Sequence, residues 1–191
     1  VAREPAKIFR VGAYAIDITP QQFPVDAAGE WTPWKADYAH DPLYARCLVF
    51  DNGDSKIAFA ICDSCGIPRE IFDAAKAKAA QATGIPADCI LCSATHTHTG
   101  VTVTRGFQSQ VEEEYCAYLT ERIAAGIIQA HAQREPARIG WAVGNNPRQV
   151  FNRRWHLRAG VSLTDPFDRG ADKVQMNPAA ASKQLLKPAG P

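Results

Sequence analysis

The chain has 191 residues, 46% of them hydrophobic and 21% charged, and its 21 Lys+Arg against 20 Asp+Glu leave a formal charge of +1. That length and composition supply a real core for one domain or slightly more, and exclude disorder. The even charge balance excludes bulk binding to a phosphate backbone, so no nucleic-acid partner is expected, and the longest apolar stretch, residues 57–62, is far short of the roughly twenty that span a bilayer.

Val1-Ala2-Arg3-Glu4-Pro5 shows neither an initiator Met nor an apolar leader, so a secretion signal is absent or already removed. Residues 10–18 read as a strand closed by Thr19-Pro20, followed by a long aperiodic loop up to Pro42. Residues 43–50 and 56–62 are strand-like runs joined by Asp51-Asn52-Gly53-Asp54-Ser55, where Asn-Gly supplies the positive φ of a tight reversal, so they form a hairpin. Pro68 opens a helix with Ile71, Phe72, Ala75 and Ala79 on one face and Gly84 as its stop. The apolar run 89–94 follows, and 56–62, the helix and 89–94 make a βαβ crossover whose two strands are parallel and end on one edge.

A second helix is predicted over about residues 111–132: Glu112, Glu113 and Glu114 suit its positive end, and Tyr115, Tyr118, Leu119, Ile123 and Ile127 recur at helical spacing. Residues 138–143 are predicted as a third parallel strand, with Gly144-Asn145-Asn146-Pro147 turning the chain out at its end. Beyond Leu157 periodicity fades, and a tail punctuated by Asp165-Pro166, Asn177-Pro178, Lys187-Pro188 and Gly190-Pro191 has too few large apolar residues for a layer of its own. The expected fold class is α/β: a mixed sheet with a parallel βαβ core flanked by helices, an N-terminal strand and hairpin, and an irregular C-terminal tail. A chain stopping at Pro191 in such a segment reads as a piece of a longer protein.

Chemistry concentrates in Ser93-Ala94-Thr95-His96-Thr97-His98-Thr99-Gly100, directly after an apolar strand. Residues i and i+2 of an extended backbone share a face, so His96 and His98 are placed to grip one metal ion, at the edge where open α/β sheets bind ligands. A surface strand with two solvated imidazoles is the alternative. Three or four protein ligands make a zinc site, and two further regions should reach this edge: Asp63, which follows residues 56–62, and residues 145–156. Asp63 could ligate, orient a ligand His, or act as a turn residue. Arg153 and Arg154 could stabilise an oxyanion or be ordinary surface arginines. His131 is excluded by about 30 Å of helix and reads as a cation at a helix C-terminus; His40 and His156 read as loop histidines.

Six cysteines are an even count, but pairs sit in the most apolar segments, so disulfides do not follow from the number. Cys62-Asp63-Ser64-Cys65 and Cys89-Ile90-Leu91-Cys92 superficially suggest a zinc ribbon. In an apolar strand, i and i+3 face opposite sides, so Cys89 and Cys92 cannot pair; only Cys62 and Cys65 resemble a knuckle or a redox pair. Buried free thiols are the simpler reading. No phosphate-loop, dinucleotide or serine-elbow glycine motif occurs.

Three segments together resemble the N-terminal domain of the neutral/alkaline non-lysosomal ceramidase family: Val11-Gly12-Ala13-Tyr14-Ala15-Ile16-Asp17-Ile18-Thr19-Pro20, Thr95-His96-Thr97-His98-Thr99-Gly100, and Asn152-Arg153. The likeness covers about the first 155 residues; Thr99 stands where the family has Ser, and Val101 where it has Pro. The stretch Phe151-Asn152-Arg153-Arg154-Trp155 looks more like uncharacterised bacterial relatives than the lipid-acting members. The resemblance implies a zinc-dependent amidase cleaving the N-acyl bond of a small-molecule or lipid amide, secreted or periplasmic, with peripheral membrane contact. It carries zinc ligation onto His96 and His98 and the active-site arginine onto Arg153. The family's remaining ligands (a further His, a Glu and a Tyr) and its reacting Ser match no position here, so this segment alone is expected to be inactive. Residues 1–157 would be the metal-hydrolase-like part, and 158–191 a tail leading into the remainder. Two alternatives stay open: an amidohydrolase-type barrel with His-x-His at a strand end, and a non-catalytic binding module derived from a hydrolase.

Overall fold

The structure, a computed structural model, describes residues 7–30, 32–105, 110–148, 152–164, 171–179 and 182–190. The expectations on Val1 to Pro5, Phe151, Asp165, Pro166 and Pro191 lie outside those residues. Two compact units are present, Val1–Ile139 and Gly140–Pro191.

The first unit begins with β1 (Arg10–Asp17), a small ribbon of β2 (Val25–Ala27) and β3 (Trp34–Ala36), and the hairpin β4 (Tyr44–Asp51) and β5 (Lys56–Cys62). At the hairpin turn Gly53 takes φ +90°, and the Asn52 side-chain oxygen accepts from the N–H groups of Asp54 and Ser55. These are the two features that a short reversal needs from an Asn-Gly pair. Helix α1 (Arg69–Thr83) starts after Pro68 and ends on Gly84, left-handed at φ 70°, whose N–H closes onto the Ala80 carbonyl. A 3-10 turn over Ala87–Cys89 leads into β6 (Ile90–Ala94), and α2 (Glu113–Ala132) follows.

The five-stranded sheet has the order β6-β5-β4-β1-β7, where β7 is Glu135–Pro136. β5 and β6 are its parallel pair, with Cys62 opposite Ala94, so the βαβ crossover stands and both strands end together. Period-two alternation decides which face is covered. Ala45, Cys47 and Val49 of β4 and Ala58, Ala60 and Cys62 of β5 are buried, in one core with Ala75 and Ala79 of α1 and Leu119, Ile123 and Ile127 of α2. On the other face Leu48, Ile57 and Leu91 stay exposed. Both helices therefore cover the same face of the sheet.

The third parallel strand is a correction. Residues 138–143 form no strand; after α2 the chain pairs antiparallel with β1 instead, Val11 against Glu135 and Arg10 against Pro136, and Ala137 N–H donates to Phe9. Pro136 sits at a non-hydrogen-bonded position of this edge strand, where its missing N–H costs no ladder bond, and Ala137 N–H to Phe9 is the last bond to β1. Ile139, Trp141 and Val143 are left 62%, 88% and 97% exposed, although their composition is that of a strand. The amidohydrolase-type barrel is disfavoured for the same reason, since it needs successive parallel βα units and β5–β6 is the one parallel pair among the described residues.

Short strands punctuate the irregular tail. In the second unit β8 (Arg154–Leu157) is the centre of a three-stranded antiparallel sheet, and β9 (Leu163–Thr164) pairs with β10 (Ala171–Asp172). The partners of β8 are β11 (Val174–Met176) and β12 (Leu185–Pro188). Strands this short carry too few residues to show a period in sequence. No described helix is long and apolar enough to cross a membrane.

Candidate metal centre

The site is built where the parallel pair ends. Beyond β5 and β6 the two chains stay zipped: Thr95 N–H donates to the Cys62 carbonyl and His96 N–H to that of Ser64, each at 2.9 Å. This lays Cys65, 31 residues away in sequence, beside His96. The expected mechanism of an extended His-x-His is replaced by a sharper one. His96 adopts φ +64°, in the left-handed region that a side chain with a Cβ enters at a cost of about 1–2 kcal/mol. The turn folds His98 back, so the two rings meet edge to face with centroids 4.9 Å apart.

His96 Nδ1 lies 2.6 Å from the Cys65 carbonyl oxygen, to which it must donate. That bond fixes the tautomer and leaves Nε2 with a free lone pair. His98 Nε2 sits 3.3 Å from it. Two nitrogens each about 2.0–2.1 Å from a tetrahedral ion are separated by about 3.3–3.4 Å, so the spacing of the pair fits one shared cation. Among the described residues, the group of three metal-capable donors is Cys65, His96 and His98, with ligand atoms within 4.8 Å of one another. Both histidines are exposed and Cys65 is partly so, leaving the donors accessible. The donor set therefore fits a d-block ion such as zinc.

Close packing holds the loop. Gly29, at φ +107°, lies so near His98 that a Cβ added there would fall 2.4 Å from the His98 Cβ. Ala28 N–H donates to Gly100, Ala27 bridges to Val101, and Thr102 N–H donates to Asp26. The β2 strand thus clamps the chain leaving His98. Next to Thr99 and Gly100 opens a cavity of about 500 Å³ walled by Phe23, Val25, Trp34, Tyr38 and Leu43. It falls in the size range of small-molecule pockets, and the Nε1 of Trp34 is buried without a hydrogen-bond partner.

The other sequence candidates are placed as follows. Asp63 does sit at this edge, but both of its oxygens face Arg46 Nη1, at 2.8 and 2.7 Å, and one accepts from Tyr44 N–H. Its carboxylate tethers the exit of β5 to β4. Arg153 and His156 belong to the second unit: Arg153 is exposed at the entry to β8, its carbonyl accepting from Asn177 N–H, and His156 is half-buried within β8. His131 lies in the last turn of α2, and exposed His40 pairs with Asp41. All six cysteines are free. Burial pushes the Cys47 thiol up to about 12, the Cys92 thiol up to about 11, and that of Cys62 higher still, which suits inert core thiols. Sequence reasoning paired Cys65 with Cys62, whereas the structure brings it beside His96 and His98. Its signal was available, since it follows β5 at the same edge that His96 leaves from β6.

No protein-family model matches the chain, and no curated protein matches it by sequence. Solved structures do. The neutral ceramidase of Pseudomonas aeruginosa superposes with a TM-score of 0.66 at 18% identity, covering 88% of this chain and 28% of that one. A ceramidase complexed with C2 gives 0.62 at 19% identity with the same coverages. The chain is ceramidase-related in its fold. It spans about 28% of the length of each ceramidase chain it matches.

Proposed function

We propose that the chain is part of a zinc-dependent, ceramidase-like hydrolase of amide (N-acyl) bonds, to which it contributes two zinc ligands, His96 and His98. The observation that carries this reading is the 3.3 Å approach of the two Nε2 atoms at the end of the parallel pair, in a ceramidase-related fold. When bound, zinc supplies a Lewis acid and a water whose pKa is lowered toward about 7. The chain's own groups do the positioning. The Cys65 carbonyl holds His96 in the tautomer that offers Nε2, Gly29 admits His98 to the turn, and Asp63 steadies the exit of β5. The cavity beside Thr99 is an apolar receptacle for the acyl side of a small-molecule or lipid amide.

By its resemblance, Arg153 is the group that stabilises negative charge developing on the cleaved carbonyl. The remaining ligands and the reacting Ser are expected outside these 191 residues, so catalysis belongs to the complete protein and this chain alone is inactive. A secreted or periplasmic setting with peripheral membrane contact suits such a substrate. The test is zinc content with circular dichroism on the chain and its His96→Ala variant. Loss of zinc with the fold retained is expected; full zinc occupancy in the variant would sink the assignment. Fatty-acid release from N-acyl substrates by the complete protein, abolished by the same substitution, tests the chemistry.

A further inference from the structure

We propose that the outward face of the five-stranded sheet is an internal seam, covered in the complete protein by a second apolar layer that the rest of the same polypeptide supplies; this rests on the reading that the chain is part of a larger hydrolase and goes beyond it. Strand register lines up the side chains of that face in rows. One row crosses four strands without a polar group: Ala13 on β1 lies opposite Leu48 on β4, Leu48 opposite Phe59 on β5, and Phe59 opposite Leu91 on β6. The next row sets Phe50 opposite Ile57, and aromatic contacts tie the two rows together, Phe50 meeting Phe59 edge to face at 5.9 Å and stacking on Phe9 at 6.2 Å. Even so, Leu48, Ile57 and Leu91 are 40%, 43% and 51% exposed. Polar side chains enter the face in the row toward the metal centre, where Arg46 is held by Asp63 and Ser93 lies opposite Ile61. The face therefore changes from apolar to polar along its strands.

A single solvated apolar side chain is ordinary; contiguous apolar rows across four strands are the pattern of a buried surface. Parallel strands, as β5 and β6 are, occur in sheets covered on both faces, and the two helices here pack on one face alone. Length names the occupant. The chain spans 28% of each ceramidase chain it matches, so a complete protein of that size holds ample further polypeptide for another layer. A layer on the same polypeptide meets the face at high effective concentration and needs no charges to select it, in keeping with two rows that carry none. The change to polar groups marks where that layer stops, which leaves the end of β5 and β6 open to substrate.

The probe is Leu48→Cys, in the 191-residue chain and in the complete protein, with maleimide labelling read by peptide mass. The thiol should label freely in the chain and roughly tenfold or more slowly in the complete protein. Leu91→Asp is the second variant. In the chain it should leave circular dichroism unchanged and lower binding of the apolar dye ANS, whereas in the complete protein the charge falls in the seam and should lower the urea midpoint. Equal labelling in the two proteins, or a complete protein whose midpoint ignores Leu91→Asp, overturns the seam. So does protection already present in the 191-residue chain together with a doubled mass in light scattering, which assigns the face to a second copy. Labelling of the complete protein that is blocked only when phosphatidylcholine vesicles are added assigns the face to a membrane and overturns it too, as does a gene that encodes no further polypeptide. The labelling and unfolding readouts do not use the metal, so zinc loss in His96→Ala judges the hydrolase reading separately.

Discussion

The helix-covered face of the sheet and the edge where β5 and β6 end are only a few residues apart, yet they are stabilised on opposite terms. Under α2, Leu119, Ile123 and Ile127 are fully buried against the inward residues of β4 and β5. At the edge His96 and His98 are exposed, His96 has a left-handed backbone, and two N–H···O bonds continue the strand pairing past its end. The first region supplies stability through area removed from water; the second keeps polar groups converged in a strained turn that the first must hold rigid.

The comparison breaks most visibly in the core. Ile123→Ala should lower stability by about 2–5 kcal/mol in urea unfolding while leaving zinc affinity of the folded molecules unchanged. A concurrent loss of zinc affinity would mean that core and edge are coupled. Gly29→Ala joins the two regions, because its Cβ requires both an unfavourable φ and the space occupied by His98. It should cost about 1–3 kcal/mol and displace His98, so zinc content falls with stability. Asp63→Asn weakens the tie to Arg46 and Tyr44 and should cost about 1 kcal/mol, with zinc content retained if its role is to anchor β5.

His96→Gly should remove zinc yet leave stability within about 1 kcal/mol of wild type, since relief of the left-handed turn offsets the greater chain entropy of glycine. A marked loss of stability would show that the ring, not the ion it serves, holds the loop. The smallest effect is at the far end of α2. Burial, aided by Arg134 and Lys56, holds the His131 imidazole below its ordinary value of 6.5. Between the folded and unfolded pKa the unfolded chain binds more protons, so stability falls as pH drops through that window. His131→Asn should flatten this slope in unfolding measured from pH 7 downward.

What the sequence determined by itself is what contiguous residues can encode. Asn52-Gly53 specifies the hairpin turn, Gly84 the end of α1, the spacing of Leu119, Ile123 and Ile127 the buried stripe of α2, and the apolar runs 56–62 and 89–94 the crossover that sets His96 and His98 at a strand end. Local φ/ψ preference and hydrophobic period are written in neighbours. Tertiary structure decided the partners. Residues 138–143 have strand composition, but the chain had already found its place beside β1 at Glu135–Pro136, antiparallel and two residues long. Asp63 lies at the correct edge, but the pairing register brings Arg46 within reach of its carboxylate. Cys65 met the histidines because β5 and β6 are parallel and end in register across a crossover of nearly thirty residues, a contact that no local period announces.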